Sequence, residues 1–413
     1  MKKNIVKTLD AERCCGCGAC YAVCPKQCIL MKEDKKGFLR PQVNRTDCIE
    51  CGKCGKVCPA LHPAEKRVSL EVWGARNKDE EVRMASSSGG VFYAIAEYVI
   101  SQGGVVFGAR FDERWEVVHD YADTINGVKD LMGSKYSQSR MDDCYRKVKE
   151  FVGGGRLVLF TGTGCQIAGL KHFLGRDYEN LITVDVVCHG VPSPLVWRNY
   201  LVYTRRRNAG GDGKAVWSSL NDLPSIEGIS FRDKTQSWKK FGLVFRFRRP
   251  EGATEKFGMP SVKFSFSTYE NLYVDLFMRG FLSNIYLRPC CHNCAANGGR
   301  STSDMTIGDY WSMPEYLQTW DDDRGTSLVL AYTEKGIHLL KKINLELRES
   351  TYKDALVGNR TIESSYPKHV LTDWFWTIYP LLKEKAIELC CNLRKPPLVH
   401  VVARKIYHLI KKQ

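Results

Sequence analysis

Residues 14–25 read CCGCGACYAVCP, and residues 48–59 read CIECGKCGKVCP. In each run three cysteines stand three positions apart, a fourth follows four positions later, and proline closes the run. The residues are Cys14, Cys17, Cys20 and Cys24-Pro25, then Cys48, Cys51, Cys54 and Cys58-Pro59. Gaps of two residues let a tight loop present three thiolates to one site. The fourth thiol, set on the following turn, reaches away from that loop. Disulfides, zinc and iron–sulfur clusters are the competing chemistries.

Disulfides fit worst. The opening MKKNIVKTLDAER has no apolar leader, and 18 cysteines without an export signal point to a reducing compartment that keeps thiols free for metals. Zinc takes four ligands per site and has no use for a duplicated run whose fourth cysteine crosses to the other half. The C-x2-C-x2-C-x3-C-P spacing is that of bacterial two-cluster ferredoxins, where the fourth cysteine ligates the other cluster. Cluster one then takes Cys14, Cys17, Cys20 and Cys58, and cluster two takes Cys48, Cys51, Cys54 and Cys24. Gly16, Gly18, Gly52 and Gly55 suit a backbone that wraps closely and points amides at sulfur. Cys15 and Cys28 fall outside the pattern and read as spare thiols. Residues 1–65 form this domain, which conducts single electrons and leaves the bond chemistry to the rest of the chain.

The remainder is long enough for that task. The chain has 413 residues, 44% hydrophobic and 26% charged, which allows two or three globular domains. No uncharged apolar run reaches the roughly 18 residues of a spanning helix, so the expectation is a soluble, cytoplasmic protein. A net charge of +15 makes acidic proteins, phosphorylated cofactors, nucleic acid or an anionic membrane plausible partners.

After a charged connector at about residues 62–71, strand and helix patterns alternate. SSSGGVFYAIAEYVISQGG reads as a capped helix with Val91, Ile95, Tyr98 and Val99 on one face. GVVFGARFD and WEVVHDYAD read as adjacent strands. MDDCYRKVKEFVGGG is an amphipathic helix, RLVLFTGT a buried strand, CQIAGLKHFLG a helix, NLITVDVVCHG a buried strand and SPLVWRNYLVYTRRR a helix. Such alternation implies a mostly parallel sheet covered by helices over residues 70–340. Residues 213–268 change texture and read as an antiparallel β excursion. Residues 341–413 read as a helical, basic C-terminal region. There Val399, Val402, Ile406 and Ile410 share a face that packs on its own domain, with peripheral membrane contact as the alternative.

A second group of cysteines is scattered along this domain. Cys165 follows the strand of FTGTGCQ, Cys188 follows the strand of VDVVCHG, and CHNC supplies Cys291 and Cys294 just after Cys290. Carboxyl ends of neighbouring parallel strands share one edge, where ligands bind. Four thiols can converge there, or Cys165 and Cys188 are structural and CHNC holds zinc or nothing.

Taken together, SSSGGV, GSKYSQS, FTGTGCQIAGLKHFLG, NLITVDVVCHGVPSPLVW, RPCCHNCA and SDMTIGDYW resemble the coenzyme F-420 hydrogenase/dehydrogenase beta-subunit family, in the form fused to a dicluster ferredoxin. The resemblance runs from about residue 14 to residue 335. It implies an α/β fold in which a small N-terminal ferredoxin domain precedes a mixed, mostly parallel flavin domain with an antiparallel β excursion and a helical C-terminus. It also implies FAD and a third 4Fe-4S cluster on Cys165, Cys188, Cys291 and Cys294. Two positions depart from the family: Gly164 stands where proline is usual, and Cys290 is an extra neighbour that competes with Cys291 as ligand.

A flavin is chemically apt, because clusters pass one electron at a time while organic substrates take pairs. Candidate flavin contacts are Ser88, Gly89 and Gly90 at a helix start, Ser134, Lys135 and Tyr136, and Thr161, Gly162 and Thr163. Short motifs of this kind also serve as plain caps, surface loops and tight turns. His189 and Lys135 are candidate proton donors, and Asp309 is a further candidate contact.

The expected function is an iron–sulfur flavoprotein oxidoreductase passing electrons between a ferredoxin or deazaflavin (coenzyme F-420) partner and a second, small-molecule acceptor. An electron-transfer subunit of a larger hydrogenase or dehydrogenase is the alternative. From another class, a basic zinc-rich nucleic-acid binder lacks helix-turn-helix, zinc-finger or RNP signatures. Absorption of anaerobically purified protein separates the classes: a brown solution with a broad band and flavin peaks is expected, and a colourless zinc protein would refute it.

Overall fold

The computed structural model describes residues 10, 12–208, 223–248 and 265–393. The basic stretch read as a C-terminal helix, and residues 213–222 and 249–264 of the expected β excursion, lie outside them. Thirteen strands are described: β1 (Ile29–Glu33), β2 (Leu39–Val43), β3 (Glu71–Asn77), β4 (Val105–Phe111), β5 (Val117–Ala122), β6 (Val158–Thr163), β7 (Leu181–Val186), β8 (Ser225–Asp233), β9 (Gly242–Arg248), β10 (Ser265–Asn271), β11 (Met305–Asp309), β12 (Ser327–Ala331) and β13 (Leu345–Ser350).

The chain divides into two compact units, Met1–Val191 with Phe231–Phe241 and Arg288–Tyr366, and Pro192–Ser230 with Gly242–Leu287 and Pro367–Gln413. The first is built on an eight-stranded sheet in the order β13-β3-β12-β11-β7-β6-β4-β5. Its centre is parallel: β4 pairs with β6, β6 with β7, and β7 with β11. Antiparallel strands flank that block, β5 on one side and β12, β3 and β13 on the other. Runs such as LVLF and LITV are apolar at consecutive positions because both faces of these strands are covered. Val158, Leu159, Phe160, Leu181, Ile182 and Val184 are all buried.

Helices close the two faces. Val91–Ser101 buries Val91, Ile95 and Val99 against the sheet. Gly164–Leu174 starts where Gln166 Oε1 accepts the Thr163 N–H at 2.9 Å, and it stops at Gly175 with φ 67°. Each buried aliphatic side chain contributes about 1.5–3 kcal/mol, so packing rather than capping holds these helices down. The ferredoxin segment adds its own antiparallel hairpin, β1 with β2, beside the short helices Ala19–Val23 and Lys53–Lys56.

The second unit carries the sheet β10-β9-β8 and the helices Pro194–Arg207, Leu276–Leu282, Thr372–Leu382 and Glu384–Asn392. Its core is aromatic: Trp197, Tyr200, Phe245, Phe277, Tyr286, Phe375 and Tyr379 lie in a chain of ring contacts. Asp275 is buried there, accepting from Tyr200 Oη and from Met278 N, and burial raises its carboxyl to about 6.

One part of the region expected to be helical from residue 341 is sheet. β13 pairs antiparallel with β3 along its whole length. LELRES alternates apolar and charged residues with the period of a strand, with Leu345 buried and Arg348 and Glu349 exposed. The helical pattern of EKGIHLLKKI, immediately upstream, hides that change of period.

Gly89 is where the sheet and the serine-rich loop meet. A Cβ on it would stand 2.3 Å from Ala75 O and 2.7 Å from Ser327 N, both backbone atoms. Gly89→Ala is therefore expected to cost about 1–3 kcal/mol or more through overpacking. Ser88→Ala, which loses only the bond to Thr326 O, costs about 1 kcal/mol. Thermal unfolding of the two variants checks the order.

Candidate functional site: three sets of thiols

The duplicated cysteine loops share a backbone conformation. Gly16 and Gly18 have φ of 68° and 81°, and the matching positions of the second loop, Glu50 and Gly52, have φ of 51° and 73°. Both loops therefore turn through left-handed residues between their ligands, even where the second carries a glutamate. Gly18 and Gly52 each precede a short helix, Ala19–Val23 and Lys53–Lys56, that holds the third thiol of its run.

Cys24, Cys48, Cys51 and Cys54 line one cavity of about 330 Å³, the grouping expected for cluster two. Cys28 lines it as well, with its Sγ 3.5 Å from Cys24 Sγ. Cys51 is exposed and Cys54 buried, so this site lies at the surface. The other set is more enclosed: Cys14 and Cys17 are each 8% exposed. Burial, together with charge on Cys14, Cys58 and Cys54, pushes the Cys20 thiol well up, and burial takes Cys58 to about 11. Cys20, Cys14 and Cys58 are thus mutual neighbours, as the crossover requires.

The third set forms at the carboxyl edge of the parallel block. β6 and β7 pair in register with Thr163 opposite Val186, and Cys165 and Cys188 each follow two residues later. The turn Pro289–Asn293 and Cys294 complete the group. Cys15, Cys165, Cys188, Cys290, Cys291 and Cys294 all line a cavity of about 1040 Å³. Two backbone N–H groups point at sulfurs, Val191 N at 3.5 Å from Cys291 Sγ and Ala296 N at 3.4 Å from Cys294 Sγ, and Thr163 Oγ1 and Cys165 Sγ share a hydrogen bond at 3.2 Å. Cys15, a spare thiol by spacing, is hydrogen-bonded to Cys165, the main cause of the upward shift of the Cys165 thiol.

Burial pushes Cys188 up to about 12, with charge on Cys294 and Cys290 adding to the rise, and Cys294 to about 11, with charge on Cys290 and Cys15 adding. Without metal such thiols stay protonated. Loading the site expels protons and supplies the positive charge that lets several thiolates share one low-dielectric space. Among the described residues no three His, Cys, Asp or Glu side chains close to the spacing of a single-ion site. The thiols surround cavities instead, and donor sets of sulfur alone suit iron–sulfur clusters.

Arg288, which sequence reasoning passed over, is 0% exposed. Its Nε donates to Cys14 O at 2.8 Å, its Nη2 to Leu39 O at 2.8 Å and toward Cys14 Sγ at 3.8 Å, and its Nη1 to Gln138 Oε1. Burial opposes its charge, but the thiols of Cys290, Cys14, Cys15 and Cys291 outweigh it and raise its pKa. The visible signal was the arginine of RPCCHNC, a cation placed directly before ligands.

The expected flavin residues fall into two groups. Ser134 N and Oγ donate to Ser87 Oγ at 2.8 and 3.1 Å, which joins the 86–90 and 133–137 loops. Ser88 Oγ and Gly89 N are already bonded to Thr326 O and Ser327 Oγ, while Gly90, with φ 85°, opens Val91–Ser101 without a side-chain cap. Lys135 Nζ donates to Met132 O at 2.7 Å, and burial lowers it to about 7. Thr161 O accepts from or faces His119 Nε2 at 2.7 Å, and His119 Nδ1 meets Ser139 Oγ at 2.9 Å. Burial keeps His119 at about 4, hence neutral. Gly162 packs on Gln166, whose Nε2 also reaches Ser139 Oγ at 2.8 Å. Of the nine, Thr163 lines the cysteine cavity, as does His189, whose ring lies 4.4 Å from that of Tyr366. Asp309 pairs with Arg232, a buried guanidinium over the rings of Phe241 and Trp311.

Cys51→Ala and Cys188→Ala are each expected to lower the iron content by about four atoms per chain, one cluster. Cys28→Ala leaves it unchanged. Colorimetric iron and sulfide determination on anaerobic preparations checks all three.

Residues 13–61 match the 4Fe-4S dicluster domain. Residues 72–144 match the N-terminal part of the coenzyme F-420 hydrogenase/dehydrogenase beta subunit. Among curated proteins none matches the chain. Among solved structures, a chain of the F-420-reducing nickel–iron hydrogenase complex from Methanosarcina barkeri is similar at 16% identity and a TM-score of 0.41, over 78% of this chain and 90% of that one. No helix among the described residues is long and apolar enough to cross a membrane. The chain therefore joins an iron–sulfur electron-transfer segment to one that matches a redox family, the coenzyme F-420 hydrogenase/dehydrogenase beta subunits.

Proposed function

We propose that the protein is an iron–sulfur flavoprotein oxidoreductase. It passes electrons between a ferredoxin or coenzyme F-420 partner and a second acceptor, by way of the two clusters of the dicluster domain, a third 4Fe-4S cluster and FAD. The observation that carries this reading is the contiguity of the three thiol sets. Cys54 of the second set is an electrostatic neighbour of Cys20 in the first. Cys14 of the first set adjoins Cys15, which lines the third cavity.

At the third site Cys165, Cys188 and Cys294 are the ligands, with the fourth from Cys291 or Cys290. Cys291 accepts the Val191 N–H, as a metal thiolate does. Cys290 is the more buried of the two and faces the charge of Cys165, Cys188 and Cys294.

A flavin, when bound, exchanges single electrons with clusters and electron pairs with an organic acceptor. The residues suited to hold it lie along the carboxyl edge. The uncapped start of Val91–Ser101 offers free amides to a pyrophosphate. Ser87 and Ser134 fix two loops against each other. Lys135, poised near 7 by burial, can hold or release a proton at neutral pH. Arg232 is buried beside Asp309 and Tyr136, and Asp309 keeps a buried Oδ1. Such groups suit a flat, hydrogen-bonding ring.

The partner side is the surface of the second thiol set. Ile49, which lines the same cavity as Cys51, is 58% exposed. Apolar rims around an exposed redox centre suit a transient electron-transfer partner.

Anaerobic protein, reconstituted with iron, sulfide and FAD, is expected to bind about twelve iron atoms in three clusters together with one flavin, and to be reduced by ferredoxin or reduced coenzyme F-420. Eight iron atoms would remove the third cluster, and failure to retain flavin would leave only an electron conduit. Whichever donor bleaches the protein faster identifies the partner.

A further inference from the structure

Buried arginines are ordinarily matched by carboxylates. Arg288 has none among its described contacts: two main-chain carbonyls, Cys14 O and Leu39 O, the amide oxygen of Gln138 and the sulfur of Cys14. Its guanidinium lies 5.4 Å from the centre of the Phe38 ring. The negative groups that face it are Cys290, Cys14, Cys15 and Cys291, drawn from both the ferredoxin loop and the turn that carries the third set. Gly16 makes room, since a Cβ there would stand 2.8 Å from both Nη1 and Nη2. Gln138 in turn donates its Nε2 to Cys15 O at 3.1 Å, so arginine and glutamine together grip both residues of the Cys14-Cys15 pair.

We propose that Arg288 is a positioning residue that sets the reduction potential of the first cluster. It supplies a fixed, buried positive charge and an N–H directed at the sulfur of Cys14, and it ties that ligand loop to the turn bearing the third set of thiols. The proposal rests on the iron–sulfur reading of those thiols. Its physics is simple in sign. A cluster gains one electron and one unit of negative charge on reduction, so a nearby cation and hydrogen bonds to ligand sulfur favour the reduced form and raise the potential. Arginine stays protonated throughout, so the electron moves with no proton from this residue.

The test uses the full chain, prepared without oxygen, as wild type, Arg288→Lys, Arg288→Gln and Gln138→Leu. Iron and sulfide are counted, and midpoint potentials are followed by electron paramagnetic resonance during a mediated titration. One cluster is expected to shift to more negative potential in the order wild type, lysine, glutamine, with the others unmoved. Gln138→Leu should shift the same cluster less, in the same direction. A purely structural role would lose iron or broaden every signal without that order. Unchanged potentials with iron retained overturn the proposal. If both arginine variants fail to keep iron, an unchanged potential in Gln138→Leu overturns it equally. Wild-type protein without iron would instead refute the iron–sulfur reading.

Discussion

The third thiol set depends on the parallel pairing of β6 with β7. With Thr163 opposite Val186, two strands end level and point their chain onward from one edge. Cys165 and Cys188, twenty-three positions apart in sequence, then arise at equivalent distances beyond it. A slip of one residue would turn every side chain of a strand to the opposite face. Apolar residues on both faces, Leu159 and Phe160 in β6 and Ile182 and Val184 in β7, resist that slip because each is buried. Core packing is what makes the ligand geometry specific.

What the core brings together, electrostatics opposes. The Cys165 thiol is pushed up by its hydrogen bond with Cys15 and by burial, and those of Cys188 and Cys294 by burial, with charge on Cys290 adding in all three. A metal bound there would ease the conflict by replacing protons with positive charge, and Arg288 provides a fixed cation facing the neighbouring Cys290 and Cys291. Fold stability and metal loading are coupled in such a site, because the protein organises donors that are unfavourable as a group until the metal arrives.

The two cysteine runs were legible as a dicluster pattern, and residues 13–61 match that domain. Cys24 does stand with Cys48, Cys51 and Cys54. The central sheet was legible through the lengths and apolar runs of β4, β6, β7, β11 and β12. Other features were not, for physical reasons. β1 and β2 are short strands with charged and proline residues, such as Met31 opposite Pro41, that carry little β pattern. β13 is masked by the helix before it. Arg288 and Gln138 act through contacts over 274 and 123 positions of chain, which spacing cannot encode. That Cys15, a spare thiol by spacing, lines the third cavity and meets Cys165 was not legible either, because local spacing is silent about a cavity built from the far end of the chain.

The duplicated motif has diverged according to what lies outside each loop. Gly16 and Glu50 occupy equivalent places with the same left-handed backbone, yet only the first must be glycine for room: Arg288 and Gln138 crowd it. Gly52, by contrast, has nothing within 4 Å of where its Cβ would be, and Cys51 beside it is exposed. Solvent raises the dielectric around the second set and weakens every local charge, whereas the first set feels a buried guanidinium at close range. Two loops of the same sequence pattern therefore hold their thiols in unequal fields. That inequality, created by one arginine and one glycine, is absent from the symmetric spacing alone.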